Sequence, residues 1–97
     1  MVYAFTSMGP IQAEIEECLK VGLAPRHLEV INESHLHEGH AHMGPETHFR
    51  IVAISEKFEG LKSLARHRLV HGLLAELLKE QIHALTLQLF SPRERAE

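Results

Sequence analysis

The chain has 97 residues, 44% of them apolar, and a formal charge of −3 with its nine histidines neutral. That supports one domain with one modest core, and the acidic balance gives no general attraction to nucleic acid or to anionic membranes. A lone cysteine, Cys18, excludes an intramolecular disulfide and gives no argument for secretion, and no stretch reaches the roughly 18 apolar residues of a membrane span.

The opening MVYAFTSM has no basic start and no long apolar run, so it makes a poor secretory signal. Residues 1–7 are expected to be a disordered extension, with the domain proper over 8–92 and a polar tail over 93–97. In PIQAEIEECLKVGL, Ile11, Ile15, Cys18, Leu19 and Gly22 keep helical spacing, and Gln12, Glu14, Glu16, Glu17 and Lys20 fall off that stripe. Pro10 suits a first helical position, early acidic residues suit the helix dipole, and Gly22 with Pro25 is expected to end the helix. Cys18 lies on the apolar stripe and reads as a packed thiol rather than a reactive one.

HLEVINES follows as a short strand, and residues 35–46, carrying Gly39, Gly44 and Pro45, read as a loop. THFRIVAIS is a second strand, with Phe49, Ile51 and Ala53 on one face and His48, Arg50, Val52 and Ile54 on the other. EKFEGLKS is a turn centred on Gly60, with Ser63 as N-cap of one long helix over roughly 63–80, whose apolar stripe is Leu69, Val70, Leu73, Leu74, Leu77 and Leu78. The last strand is IHALTLQLF, in which His83 shares parity with Leu85, Leu87 and Leu89 and so begins a row that otherwise looks like core. The order is helix–strand–strand–helix–strand. A hairpin followed by a strand–helix–strand crossover predicts a small α+β domain with a three-stranded mixed sheet, its helices covering one face.

The sharpest chemical signal is HLHEGHAH, which places His35, His37, His40 and His42 within eight residues. Imidazoles on one loop can converge on zinc, copper, iron or nickel. The absence of any CxxC argues against a closed structural zinc site, and a solvated polar loop is the plain alternative. HRLVH puts His67 and His71 four apart on a helix, but Arg68 stands where a metalloprotease needs glutamate, so the pair reads as a polar edge of the leucine stripe. No GxSxG, P-loop or GxGxxG occurs, and the chain contains no aspartate, so catalysis by this domain alone is not expected. Lys57, Lys62, Arg66, His67, Arg68 and His71 cluster near the start of the long helix and could meet phosphate. The alternative is a solvated basic face balancing acidic neighbours. The arrangement is KH-like, but the GxxG clamp of RNA-binding KH modules is missing, because Gly60 is followed by LKS.

ETHFRIVAISEKFEGLKSLARHRLVHGLLAEL, followed by IHALTLQLFSP, resembles the BolA family from about Met8 to Pro92; the specific pieces are ETHF, F-x-G, RHRLVH and HAL. The resemblance implies a KH-like fold of the second topological type and a non-enzymatic adaptor. Such an adaptor pairs with a monothiol glutaredoxin and shares a bridging [2Fe–2S] cluster, completed by a glutathione thiol, in iron–sulfur handling or iron signalling. It implies His83 as one ligand and a histidine of the 35–42 run as the other. His40 matches when counting back from ETH and His37 when counting forward from NES, with His42 and His35 as further alternatives. Bacterial relatives are also described as DNA-binding regulators of stress response and cell shape, which would use the surface of Lys62, Arg66, His67, Arg68 and His71. The expected setting is the cytoplasm or an organelle matrix, with the isolated chain a monomer or weak dimer carrying no cofactor of its own.

Overall fold

The structure is a computed structural model that describes residues 9–34 and 46–95. In chain order the elements are α1 (Pro10–Leu23), β1 (His27–Asn32), β2 (His48–Ile54), a 3-10 turn (Glu56–Phe58), α2 (Ser63–Leu73), α3 (Ala75–Glu80) and β3 (Ala84–Phe90). The strands form one mixed sheet in the order β1-β2-β3, with β1 antiparallel and β3 parallel to β2. This is the expected topology, and the parity of the strands explains the core. Phe49, Ile51 and Ala53 of β2 join Val30 and Leu89, and Ile15, Leu19 and Leu23 of α1 with Val70 of α2 cover that face. Val52 and Ile54, on the opposite face of the central strand, are also buried.

Several local expectations are corrected. Gly22 does not stop α1 but lies within it, and a Cβ there would meet Leu73 Cδ2 at 2.6 Å. The missing side chain is what lets α1 and α2 approach so closely. The stop comes from Ala24, held left-handed at φ 45°, with Pro25 unable to continue. The first turn of α1 contains no acidic residue. Its amides at Ile11 and Gln12 instead donate to the carboxylate of Glu46, at 3.2 and 3.0 Å. Gly9 is the N-cap, and a Cβ there would lie 2.3 Å from that carboxylate, which would have to shift.

The single long helix over 63–80 is two helices, broken at Leu74, whose φ and ψ are −106° and 16°. Leu74 and Leu77 are both buried, and a bend there turns α3 so that Leu77 and then Ile82 reach the same core as Val70. Ser63 is the first helical residue rather than the cap; Lys62 holds the cap position without a side-chain bond. The strands are shorter than expected, because Ser34 belongs to a turn, Thr47 precedes β2, and Ile82 and His83 precede β3. Among the described residues no helix is long and apolar enough to cross a membrane.

Candidate functional site

β2 and β3 run parallel and begin side by side, with His48 in register with Ala84. Just ahead of them, the carbonyl of Thr47 accepts from the amides of His83 (2.8 Å) and Ala84 (3.2 Å). Ile82, immediately before, is 3% exposed and anchors the chain in the core. The backbone of His83 is therefore fixed on both sides while its side chain is exposed. The parity argument that placed His83 at the head of a core row fails, because the row becomes interior only from Leu85, a residue inside the strand.

The His83 ring meets that of His48 edge to face, with centroids 6.2 Å apart and planes at 73°. His48 is half-buried, and its Nδ1 shares a 2.8 Å hydrogen bond with Thr47 Oγ1.

Both stems of the histidine-rich segment are fastened beside this pair. Ser34, 2% exposed, accepts through its hydroxyl from the amides of Thr47 (2.9 Å) and His48 (3.0 Å). The Ser34 amide donates to Asn32 Oδ1 at 2.9 Å, and the Glu33 amide to the His48 carbonyl at 2.8 Å. Glu46, at the far stem, is tied to α1 as described. His35, His37, His40 and His42 lie outside the described residues. Among the described residues no group of three or more histidine, cysteine or glutamate side chains is arranged to hold a metal ion. A donor set built on His83 therefore has to be completed from elsewhere.

The basic region is a different surface. Lys62, Arg68 and His71 are exposed and His67 is half-buried, but the Arg66 side chain is only 11% exposed. Its Nε donates to the Leu61 carbonyl (2.8 Å). Nη1 donates to the Leu89 carbonyl (3.1 Å) and to Glu94 Oε1 (2.6 Å), and Nη2 to Glu94 Oε2 (3.0 Å). The guanidinium also lies 5.9 Å from the centre of the Phe58 ring. Arg66 thus stitches the start of α2 to the end of β3. Of the expected phosphate-facing set it is the member turned to the fold. With Lys62, His67 and Glu94 it lines a groove of about 490 Å³ along Leu87–Phe90. That groove is at the opposite end of β3 from His83, a span of about 20 Å at the ordinary rise per residue.

Neither Ser34 nor Glu46 was singled out from the sequence, although both flank the histidine run. The NES and ETH tripeptides around it carried the signal.

The element order and the mixed three-stranded sheet make this a small α+β domain. Residues 19–94 match the family described as BolA-like protein. The chain is 47% identical to human BolA-like protein 1 over 92 residues, covering 94% of this chain and 65% of that protein, so it spans just under two thirds of such relatives. It is 42% identical to the DNA-binding transcriptional regulator BolA of Haemophilus influenzae, covering 87% of this chain and 80% of that one. Among solved structures, the BolA domain of SufE1 from Arabidopsis thaliana superposes with a TM-score of 0.81 at 37% identity, covering 90% of this chain and 98% of that one. Mouse BolA1 gives 0.76 at 46% identity, covering 89% and 68%. The chain belongs to the BolA family.

Proposed function

We propose that the chain is a binding adaptor that pairs with a monothiol glutaredoxin and holds a shared [2Fe–2S] cluster, with His83 as its fixed ligand. The observation that carries this reading is the exposed His83 side chain on an immobilised backbone, set directly beside the two stems from which His35–His42 depart. A second imidazole from that run, His40 or His37 ahead of His42 and His35, completes this chain's share; the partner's cysteine and a glutathione thiol supply the rest.

The donor chemistry suits the group. Imidazoles are good iron ligands, and replacing thiolates by neutral nitrogens raises a cluster's potential. The cluster would supply one-electron and iron-transfer chemistry, and this chain's residues bind and orient it. Ser34 and Glu46 fix the span across which the second ligand is presented.

The test mixes the chain with a monothiol glutaredoxin, glutathione and cluster. The expected product is a heterodimer with visible absorption and mixed nitrogen–sulfur ligation. His83→Ala is expected to abolish that species, and because the side chain is exposed, the melting temperature should stay within a few degrees. A coloured heterodimer that forms unchanged with His83→Ala would overturn the reading.

A second reading, DNA-binding regulation, is favoured by the names of bacterial relatives and by the exposed Lys57, Lys62 and Arg68. It uses the other end of the sheet and does not need His83.

A further inference from the structure

The sheet has two edges, β1 and β3, and the fold treats them differently. On the β1 side, α1 packs against the strand and the Gln12 side chain donates to the Val30 carbonyl at 2.7 Å, closing part of that edge. On β3, the Phe90 carbonyl accepts from the Ser55 amide (3.0 Å) and the Ala84 amide donates to the Thr47 carbonyl (3.2 Å). Even-numbered residues of β3 therefore turn their backbone groups toward β2, and Leu85, Leu87 and Leu89 turn theirs outward. Arg66 Nη1 takes the outward carbonyl of Leu89 at 3.1 Å. Among the described residues nothing takes the outward amides and carbonyls of Leu85 and Leu87. The strand itself, ALTLQLF, holds no charge and no proline, the usual devices that keep an open edge from pairing.

We propose that β3 is a self-association edge, on which a second copy of this chain lays its own β3 antiparallel about a two-fold axis at Thr86. The open groups choose the register. With Thr86 opposite Thr86 of the second copy, Leu85 of each chain faces Leu87 of the other. The outward amides and carbonyls of both residues are then all paired, and the Leu89 carbonyl stays with Arg66. Moving the axis to Leu87 would instead set Leu85 against Leu89 and ask that occupied carbonyl for a further bond.

The side chains agree with this register. Thr86 is exposed, and threonines directly opposite one another are a favourable cross-strand pair. On the helix-facing side, Leu85 and Leu87 are half-buried, and each meets the other's counterpart in the second copy, which takes apolar surface out of water. The antiparallel order sets the end of β3 near Lys62 and Arg66 against the uncharged start of the other β3, so no like charges meet along the strands. One strand pair buries less than the roughly 1,200–2,000 Å² of a stable interface, so the dimer is weak and forms with rising concentration. It needs neither a glutaredoxin nor a cluster and stands apart from the function proposed above.

The experiment is sedimentation velocity on the full chain alone over about two decades of concentration. The expected result is a monomer that passes to a dimer, with amide exchange at Leu85 and Leu87 slowing as the dimer forms. T86K and T86E, at an exposed position, should each keep the melting temperature and weaken association about fivefold, because like charges then face each other on the axis. An equimolar mixture of the two should restore association, since opposite charges now meet. Q88K carries the same charge as T86K but lies opposite Ala84, away from the axis, and should dimerise like the unmodified chain. A chain that stays monomeric throughout would overturn the proposal, as would Leu85 and Leu87 amides protected equally at every concentration, the sign that a segment of the same chain already covers the edge. A dimer that T86K and Q88K affect alike, or that the mixture fails to restore, would place the contact elsewhere and overturn it too.

Discussion

Arg66 and Glu94 show how little of a side chain's role is written in its charge. In the sequence, Arg66 belongs to a cationic run, and phosphate contact is the natural expectation. In the fold, two backbone carbonyls and one carboxylate converge on it. They do so because Leu61, Leu89 and Glu94 come from three separate places in the chain, a convergence no local pattern announces. Glu94 is held down to about 2 from its ordinary 4.5, first by the hydrogen bonds from Arg66 and then by the Ser91 amide. A carboxyl depressed in the folded state adds stability that is fully present above its unfolded value and is lost as pH falls toward its folded one. Stability should therefore fall partly through this group between about pH 4.5 and 2. Glu94→Gln is expected to flatten that segment of the stability–pH curve, followed by chemical denaturation at each pH. An NMR titration should show the Glu94 carboxyl rising toward its ordinary range in Arg66→Met, the Ser91 amide keeping part of the depression. An unshifted Glu94 in the unmodified chain would show that the pair is not formed in solution.

At the scale of elements, α1 was legible in extent but not in how it begins. Its apolar periodicity and Pro10 mark it out, yet the charge that caps it arrives from Glu46, 35 residues from Ile11. Long-range capping leaves no periodic trace. Removing a capping side chain costs about 0.5–2 kcal/mol. Glu46→Ala is expected to lie in that range by urea denaturation, with faster amide exchange at Ile11 and Gln12, whereas Glu46→Gln should recover part of the loss. No change in exchange at those two amides would remove Glu46 from the cap. The break between α2 and α3 was equally hidden. The leucine stripe runs on through Leu74 without interruption, and nothing in it reveals that Leu77 and Ile82 must turn back onto the sheet.

For the molecule as a whole, element order and strand pairing were readable. Period-2 alternation fixed the inward face of β2, and a hairpin followed by a crossover leaves few alternatives. The candidate site was readable only in part. The HAL motif pointed to His83, but its core-like parity misled because the strand begins only at Ala84, and the approach of the His48 ring to it across two strands is beyond sequence spacing. The two surfaces at opposite ends of β3 also separate the two functional readings experimentally. If the chain binds duplex DNA through Lys57, Lys62 and Arg68, each lysine or arginine removed should lower the slope of log affinity against log salt by about 0.9. His83→Ala should leave that affinity untouched. A salt slope unaffected by Lys62→Ala and Arg68→Ala would rule out that surface as the DNA contact.

The clasp at Ser34, Thr47 and His48 has a consequence for how such domains can vary. It joins the two ends of the histidine-bearing stretch through groups that all lie outside it, so the sheet does not depend on how many residues intervene. Closing a chain between fixed ends becomes harder only with the logarithm of its length, and doubling it costs about 0.6 kcal/mol. Insertions, deletions and substitutions can accumulate there at little cost to the fold, while the backbone of His83, held by Thr47, stays where it is.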